Sequence, residues 1–246
     1  LGWKKIIETI VIQLFNCVIF NRYDLSYKII KLSVFMPIVL FFILSIATAV
    51  QATDLKKILV LGDSLTAGYG LPADKAFPAL LQKKLVAEGF KVKVLNGGVS
   101  GDTSAGGRAR LEWTLADKPE FAIIELGAND GLRGLDPLAM HDNIENIIVR
   151  LKAADVKILL TGMRAPPNLG PEYGKIFNRV FHALAEKHEV LLYPFFLQGV
   201  AAKPALNQDD GIHPNSRGVA EIVDRIVPYV VLLLQGRIPQ GVTKRD

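Results

Sequence analysis

From residue 53 onward, short continuous apolar runs alternate with longer amphipathic segments. The short runs are rich in Val, Ile and Leu, which is typical of strands buried on both faces of a parallel sheet. They cover residues 57–61, 92–96, 121–126, 157–162 and 190–195. The segments with helical periodicity cover residues 77–89, 104–117, 137–154, 171–188 and 214–235. This alternation predicts a three-layer α/β fold with a five-stranded parallel sheet and right-handed crossovers, formed by residues 53–246 as one domain.

The first 52 residues have the pattern of a leader segment. Lys28 and Lys31 precede an apolar stretch over 34–49 that ends in small residues, which predicts a secretory signal peptide cleaved after Ala49 or Ala52. The stretch is shorter than the ~20 residues of a membrane-spanning helix, so an uncleaved membrane anchor is the alternative. A second apolar run upstream leads to the hypothesis that translation starts near residues 28–36. A protein with such a leader is expected to be secreted.

Charge and composition exclude several classes of function. Beyond residue 52 the chain holds 24 basic and 22 acidic residues, so its net charge of +2 gives no reason to expect a nucleic-acid partner. The single cysteine, Cys17, lies in the leader, so the domain has neither a disulfide nor a thiolate metal site. No dinucleotide fingerprint, Walker motif or spaced cluster of metal ligands is found. We therefore expect no metal and no cofactor.

Glycine-rich polar segments follow the predicted strands one after another. They are residues 62–64, 97–104, 127–131, 163–170 and 209–214. The carboxyl ends of parallel strands meet at one edge of the sheet, which is where open α/β sheets bind ligands. The sequence therefore predicts a functional site at this edge.

Ser64 is the candidate nucleophile at the end of the first strand. A serine hydrolase also needs a base and an acid that orients the base. His141, His182 and His188 fall within helical segments, whereas His213 follows the last strand, with Asp210 three residues before it. The D-x-x-H spacing lets Asp210 reach one imidazole nitrogen and leaves the other for Ser64; Asp209 is the less favoured partner. A polar turn before a helix is the alternative interpretation of this segment.

Three groups at the same edge are candidates for binding an oxyanion. Such a site needs hydrogen-bond donors held where negative charge develops. The backbone N–H groups of Ser64 and Gly101 and the side-chain amide of Asn129 could supply them. A simple strand-to-helix turn predicts small polar residues in each loop, but not this combination at successive strand ends.

Four segments together resemble one known family. GDSLTAGYG (62–70), SGDTSAGG (100–107), ELGANDGLRG (125–134) and DDGIHPN (209–215) are similar to the four blocks of the SGNH/GDSL hydrolases. The likeness covers about residues 54–230 and is greatest to secreted bacterial arylesterases and periplasmic thioesterase/lysophospholipases. It implies that Ser64, Asp210 and His213 are catalytic. It also implies that Ser64, Gly101 and Asn129 form the oxyanion hole.

The resemblance carries further expectations about fold and substrate. It implies a flavodoxin-like α/β/α sandwich that needs no cofactor and acts on small esters or thioesters, including aryl esters and lysophospholipids. Residues 163–174 resemble a mobile loop that lines the acyl pocket. The expected substrate-binding residues in it are Met163, Arg164, Ala165, Pro166 and Pro167. Two alternatives remain open: a carbohydrate acetyl esterase with the same catalytic residues, and a binding module without catalysis.

Overall fold

Five strands form a single parallel sheet. The computed structural model describes residues 55–237 and the isolated upstream residue Ile12. The strands are β1 (Lys56–Gly62), β2 (Val92–Gly98), β3 (Phe121–Glu125), β4 (Lys157–Thr161) and β5 (Leu191–Tyr193). Their order across the sheet is β2-β1-β3-β4-β5, and each neighbouring pair is parallel. The predicted strand number and direction are confirmed.

Helices of very different length connect the strands. They are α1 (Ser64–Ala67), α2 (Phe77–Ala87), α3 (Ser104–Ala109), α4 (Leu111–Leu115), α5 (Ala128–Leu132), α6 (Pro137–Ala153), α7 (Pro171–His188) and α8 (Ser216–Leu234). Short 3₁₀ turns occupy Ala73–Lys75, Pro167–Leu169 and Pro204–Leu206. The long helices cover the sheet and give the predicted three-layer α/β/α architecture.

The core lies between the sheet and the long helices. β3 is buried along its whole length, as expected for a central strand covered on both faces. The last helix, α8, buries Ile222, Ile226, Val230 and Leu234 along one face. These residues recur every four positions, which is the spacing of one face of a helix. The apolar face of α8 therefore belongs to the core.

Two of the differences from the sequence-based expectation have a clear physical cause. The single helix expected over 104–117 is divided at Arg110, whose side chain binds Asp102 and the carbonyl of Gly62. The last strand ends at Tyr193, because Pro194 has no N–H to continue the hydrogen-bonded ladder. Both differences arise from contacts or constraints that a hydrophobic pattern does not record.

The predicted leader falls outside the described residues, so the signal peptide and the boundary near residue 52 stay predictions. Among the residues that the structure describes, no helix combines the length and the apolar character needed to cross a bilayer.

Candidate active site

The turn after β1 presents Ser64 at the sheet edge. Asp63 caps helix α1, because its Oδ1 accepts a hydrogen bond from the Leu65 N–H at 3.0 Å. The helix ends at Gly68, whose φ of 82° is left-handed. A Cβ at Gly68 would also lie 2.5 Å from the Ala76 Cβ, so glycine is required there for two reasons. Ser64 is thus fixed at the first position of a one-turn helix.

His213 lies between Ser64 and Asp210, as the sequence predicts. Ser64 Oγ is 2.9 Å from His213 Nε2, and His213 Nδ1 is 2.7 Å from Asp210 Oδ2. The carboxylate can only accept, so we assign the Nδ1–H tautomer to His213. Nε2 is then the free acceptor for the Ser64 hydroxyl hydrogen.

Asp210 is held by bonds within its own loop. Its Oδ1 accepts from the backbone N–H groups of Ile212 and His213, each at 3.0 Å. The backbone bond from His213, followed by the side-chain bond from the same residue, lowers the pKa of Asp210 to about 2. Asp210 is therefore an anion at neutral pH, as an orienting acid must be.

Gln208 joins this loop to the turn that carries Ser64. Its Nε2 donates to the carbonyl oxygens of Tyr69, at 2.8 Å, and Pro214, at 3.0 Å. The Tyr69 ring lies 4.6 Å from the His213 ring, centroid to centroid. Neither Gln208 nor Tyr69 was among the site residues predicted from the sequence. Tyr69 could have been suspected, because it lies in the same segment as Ser64, GDSLTAGYG.

The three candidate oxyanion donors have different surroundings. Asn129 Nδ2 donates to Asp102 O at 2.9 Å and to Asp63 Oδ2 at 3.1 Å. Gly101 has a φ of 84°, and its carbonyl accepts from Arg133. Within residues 55–237, neither the Ser64 nor the Gly101 N–H donates a hydrogen bond. Those two backbone donors are free for a ligand.

Buried polar contacts lock the neighbouring loops together. Arg110 donates from Nε to Asp102 Oδ2 at 2.5 Å and from Nη2 to Gly62 O at 2.8 Å. Ser104, fully buried, donates from its N–H and its hydroxyl to the two carboxylate oxygens of Asp130. These bonds tie the ends of β1 and β2 to the loop after β3. Sequence reasoning placed the loops at one edge but did not find these ties.

Two further carboxyl groups, those of Asp63 and Glu125, lie close to the turn that carries Ser64. Glu125 Oε2 accepts from the Thr66 hydroxyl at 2.7 Å and from the Asp63 N–H at 3.3 Å. Asp63 and Glu125 are both fully buried. Burial raises the pKa of Asp63 to about 6. Burial, with the nearby Asp63 charge, raises the pKa of Glu125 well above its usual range. Neither residue was among our sequence-based candidates.

The residues expected to bind substrate are split between core and surface. Met163 is only 3% exposed and belongs to the core, so in this conformation it offers no surface to a substrate. The Arg164 guanidinium lies 4.5 Å from the centre of the Phe195 ring. The Ala165 N–H donates to the Asn178 side chain at 3.1 Å.

One of the two prolines of this segment, Pro166, contacts the loop after β3. A Cβ on Gly131 would lie 3.2 Å from Pro166 Cδ, so Pro166 packs against the loop that holds Asn129. Pro167 begins the 3₁₀ turn Pro167–Leu169. Pro166 therefore lies beside the loop that holds Asn129, and the role of the segment in binding stays a prediction.

One group of potential metal ligands lies on helix α6, away from these residues in sequence. Ligand atoms of His141, Asp142 and Glu145 lie within 4.8 Å of one another. The spacing analysis of the sequence had not singled out this group. Lys187 Nζ and His188 Nε2 each lie 2.6 Å from Glu145 Oε1, so two protein side chains already pair with its carboxylate.

Residues 60–220 match the model of the GDSL-like lipase/acylhydrolase family. The chain belongs to this family. Within it, the arylesterase of Vibrio mimicus is 43% identical over 80% of this chain and 96% of its own length. Thioesterase 1/protease 1/lysophospholipase L1 of Escherichia coli K12 is 40% identical over 74% of this chain and 87% of its own.

A solved structure in the same family, described as TesA, superposes with a TM-score of 0.70. It is 42% identical and covers 72% of this chain and 99% of its own length. The family resemblance inferred from the four blocks is confirmed, and so is the fold. The chain is a GDSL-type ester hydrolase, which sets aside the alternative of a binding module without catalysis.

Proposed function

We propose that Ser64, His213 and Asp210 hydrolyse carboxylic esters through an acyl-enzyme. The observation that carries this proposal is the unbroken chain of two hydrogen bonds, 2.9 Å and 2.7 Å long, from Ser64 through His213 to Asp210. A hydroxyl bonded to an imidazole that is itself bonded to a carboxylate is the arrangement that activates serine for attack. These three residues lie at the strand-end edge of the sheet and are partly exposed, which fits attack on an external substrate.

In the first half of the reaction, Ser64 Oγ bonds to the ester carbonyl carbon while His213 Nε2 takes the hydroxyl proton. The carbonyl oxygen becomes an oxyanion in the tetrahedral intermediate. The bond to the leaving oxygen or sulfur then breaks, and His213 passes its proton to the leaving alcohol or thiol. Water repeats the sequence on the acyl-enzyme, releases the acid and restores Ser64.

The oxyanion would be bound by the N–H groups of Ser64 and Gly101 and the Asn129 amide. The first two are free donors, which supports this assignment. Asn129 donates to Asp102 and, over a longer distance, to Asp63. The bond to Asp63 is the one for which a developing oxyanion would compete. Donors fixed in advance stabilise the transition state without a cost of reorientation.

The substrate class we propose is small aryl and short-to-medium acyl esters, with acyl thioesters and lysophospholipids as further candidates. The names of the relatives support this range, since one is an arylesterase and another a thioesterase and lysophospholipase. The half-exposed Tyr69 ring beside His213 offers an apolar surface to an aryl or acyl group. We also propose secretion to the periplasm, on the basis of the leader pattern over residues 28–52.

Ser64→Ala tests the mechanism most directly. We expect kcat on p-nitrophenyl butyrate to fall on the order of 10⁵–10⁶-fold, as removal of a triad nucleophile does in other hydrolases. Labelling by a fluorophosphonate probe should be lost as well. Ser216→Ala, which removes a hydroxyl at the start of helix α8, is the matched control and should retain activity. Wild-type turnover by Ser64→Ala would refute the assignment.

A substrate panel tests the substrate class. It compares p-nitrophenyl esters of graded length with phenyl acetate, palmitoyl-CoA and acetylated xylan. We expect the highest kcat/KM on aryl and short-to-medium acyl esters. Preference for acetylated xylan would instead favour the carbohydrate acetyl esterase alternative, with the same residues carrying the reaction.

A further inference from the structure

Glu125, the last residue of β3, is a fully buried carboxyl group that the mechanism above does not use. Its Oε2 accepts two hydrogen bonds, from the Thr66 hydroxyl and the Asp63 N–H. Its Oε1 is buried and has no partner among the described residues. Space around it is tight, because a Cβ on Gly62 would lie 2.5 Å from Oε2. Such a costly arrangement next to a nucleophile calls for a functional explanation.

The surroundings of Glu125 favour its neutral form. An ionised carboxylate without a cation or several donors is very unfavourable in a protein interior. The two donors of Glu125 are uncharged, and the nearest ionisable group is the buried carboxyl of Asp63. Two adjacent carboxyl groups cannot both ionise without strong repulsion.

The charge of the pair belongs on Asp63. Its Oδ1 accepts from the Leu65 N–H and its Oδ2 from the Asn129 amide, so donors reach both oxygens. The other ionisable groups near Asp63 are His213, whose electrostatic interaction lowers the pKa of Asp63, and Asp102, which is paired with Arg110. Asp63 therefore has the partners of an anion and Glu125 has those of a neutral acid.

Glu125 reaches the reacting groups through two short connections. One runs through the Thr66 hydroxyl and the Asp63 N–H, which belong to the turn and helix that carry Ser64. The other runs through the Asp63 carboxylate to the Asn129 side chain. Both the nucleophile and one oxyanion donor thus depend on the same buried acid.

We propose that Glu125 is a positioning residue that works in its neutral form: it anchors the turn that presents Ser64, and its neutrality leaves on Asp63 the negative charge that orients Asn129. This inference rests on the proposed function, in which Ser64 and Asn129 act. The proposal also predicts that activity falls at alkaline pH. When Glu125 loses its proton, a second buried negative charge faces Asp63 and disturbs the turn that carries Ser64.

The test compares Glu125→Gln with Glu125→Leu. Glutamine reproduces a neutral acid that still accepts hydrogen bonds, so kcat at neutral pH should stay close to wild type. Leucine removes both acceptors, and we expect kcat to fall about 10- to 100-fold with KM little changed, because misplacement of reacting groups acts on the chemical step. Glu120→Gln, at the exposed opposite end of the same strand region, is the matched control and should behave as wild type.

The pH profile separates positioning from a merely structural role. Wild-type kcat should fall on the alkaline side as Glu125 ionises, and Glu125→Gln should lack that fall. Stability should follow the same group. A folded-state pKa above the unfolded one means that wild type loses stability as pH rises between the two values. The melting temperature of Glu125→Gln relative to wild type should therefore increase from acid to alkaline pH.

Three results would overturn this inference. One is a large loss of kcat in Glu125→Gln with an unchanged melting temperature, which would mean that the charged form is needed. Another is wild-type kcat in Glu125→Leu. The third is a fall of kcat at alkaline pH in Glu125→Gln that is the same as in wild type. This result would overturn the inference even if the leucine variant does not fold. Failure of the proposed function is a separate outcome, because only then would Ser64→Ala remain active.

Discussion

The two halves of the site, the turn that carries Ser64 and the loop that carries Asp210 and His213, are held in opposite ways. The Ser64 turn is held by groups from distant parts of the chain, namely the buried Glu125 and the partly buried Arg110. The Asp210–His213 loop is largely exposed and is held by its own backbone N–H groups.

Their carboxyl groups differ accordingly. The local hydrogen bonds of the exposed loop lower the pKa of Asp210 to about 2, whereas burial raises the pKa of Asp63 to about 6. The same kind of side chain is thus a solvated acid that ionises at low pH in one half and a buried acid that ionises at higher pH in the other. Environment rather than residue type sets the role, as in other two-carboxylate sites.

Among variants that keep Ser64, the largest loss of kcat is expected from a substitution in the exposed loop. Asp210→Asn keeps an oxygen for the Ile212 and His213 N–H groups, but its amide cannot hold His213 in the required tautomer. We expect kcat to fall about 10⁴-fold with little loss of stability. Steady-state kinetics and a thermal melt measure the two quantities.

The neighbouring acid supplies the control for this prediction. Asp209→Asn should leave kcat near wild type, since Asp210 is the residue bonded to His213. If Asp209→Asn were the more damaging change, the assignment of the acid would be wrong. Because its pKa is about 2, Asp210 stays ionised in ordinary assay buffers, so any loss of wild-type activity above pH 4 reports another group.

An intermediate effect is expected on the buried half. Asn129→Ala removes one oxyanion donor, which typically costs about 10²–10³-fold in kcat. KM should change little, because this interaction strengthens mainly in the transition state. The measurement is kcat and KM on p-nitrophenyl butyrate.

Asn143→Ala is the control for Asn129→Ala. The Asn143 amide donates to the buried Ser104 hydroxyl, a contact with no place in the proposed reaction. Asn143→Ala should lower the melting temperature while kcat stays near wild type. Equal losses of kcat in the two variants would show that Asn129 acts through structure alone.

The smallest effect is expected where the two halves are joined. Gln208→Ala removes the two side-chain bonds to Tyr69 O and Pro214 O, and each such bond contributes about 1 kcal/mol. We expect kcat to fall several-fold and the melting temperature to drop by roughly 2–4 °C per kcal/mol. Gln198→Ala, at an exposed position, is the control. Unchanged kcat in Gln208→Ala would mean that each half keeps its position without the other.

The exposed half of the site was readable from sequence because its geometry is local. Asp210 and His213 are three residues apart, and loop geometry alone brings their side chains together. The same holds for the strands, whose continuous apolar runs fixed their number and direction. These features could be predicted because their signal lies within a few residues of sequence, although the pairing of the strands itself joins distant segments.

For the half of the site around Ser64, the sequence predicted only that the loops after the strands lie at one edge of the sheet. The strand ends placed Ser64, Gly101 and Asn129 at one edge, but no pattern indicated that Glu125 would lie under Ser64. In sequence, Glu125 is the final polar residue of a strand, and an exposed position would have been equally plausible. The division of 104–117 at Arg110 was missed for the same reason, because its partners Asp102 and Gly62 are found only after folding.

The sequence by itself thus determined the fold class, the family and the residues of the proposed reaction. Only the tertiary structure decided which carboxyl groups are solvated and which are buried together, and therefore which one carries a charge. The physical reason is that the cost of ionisation depends on solvent and on neighbours distant in the chain, and Asp63 and Glu125 become neighbours only when β1 pairs with β3.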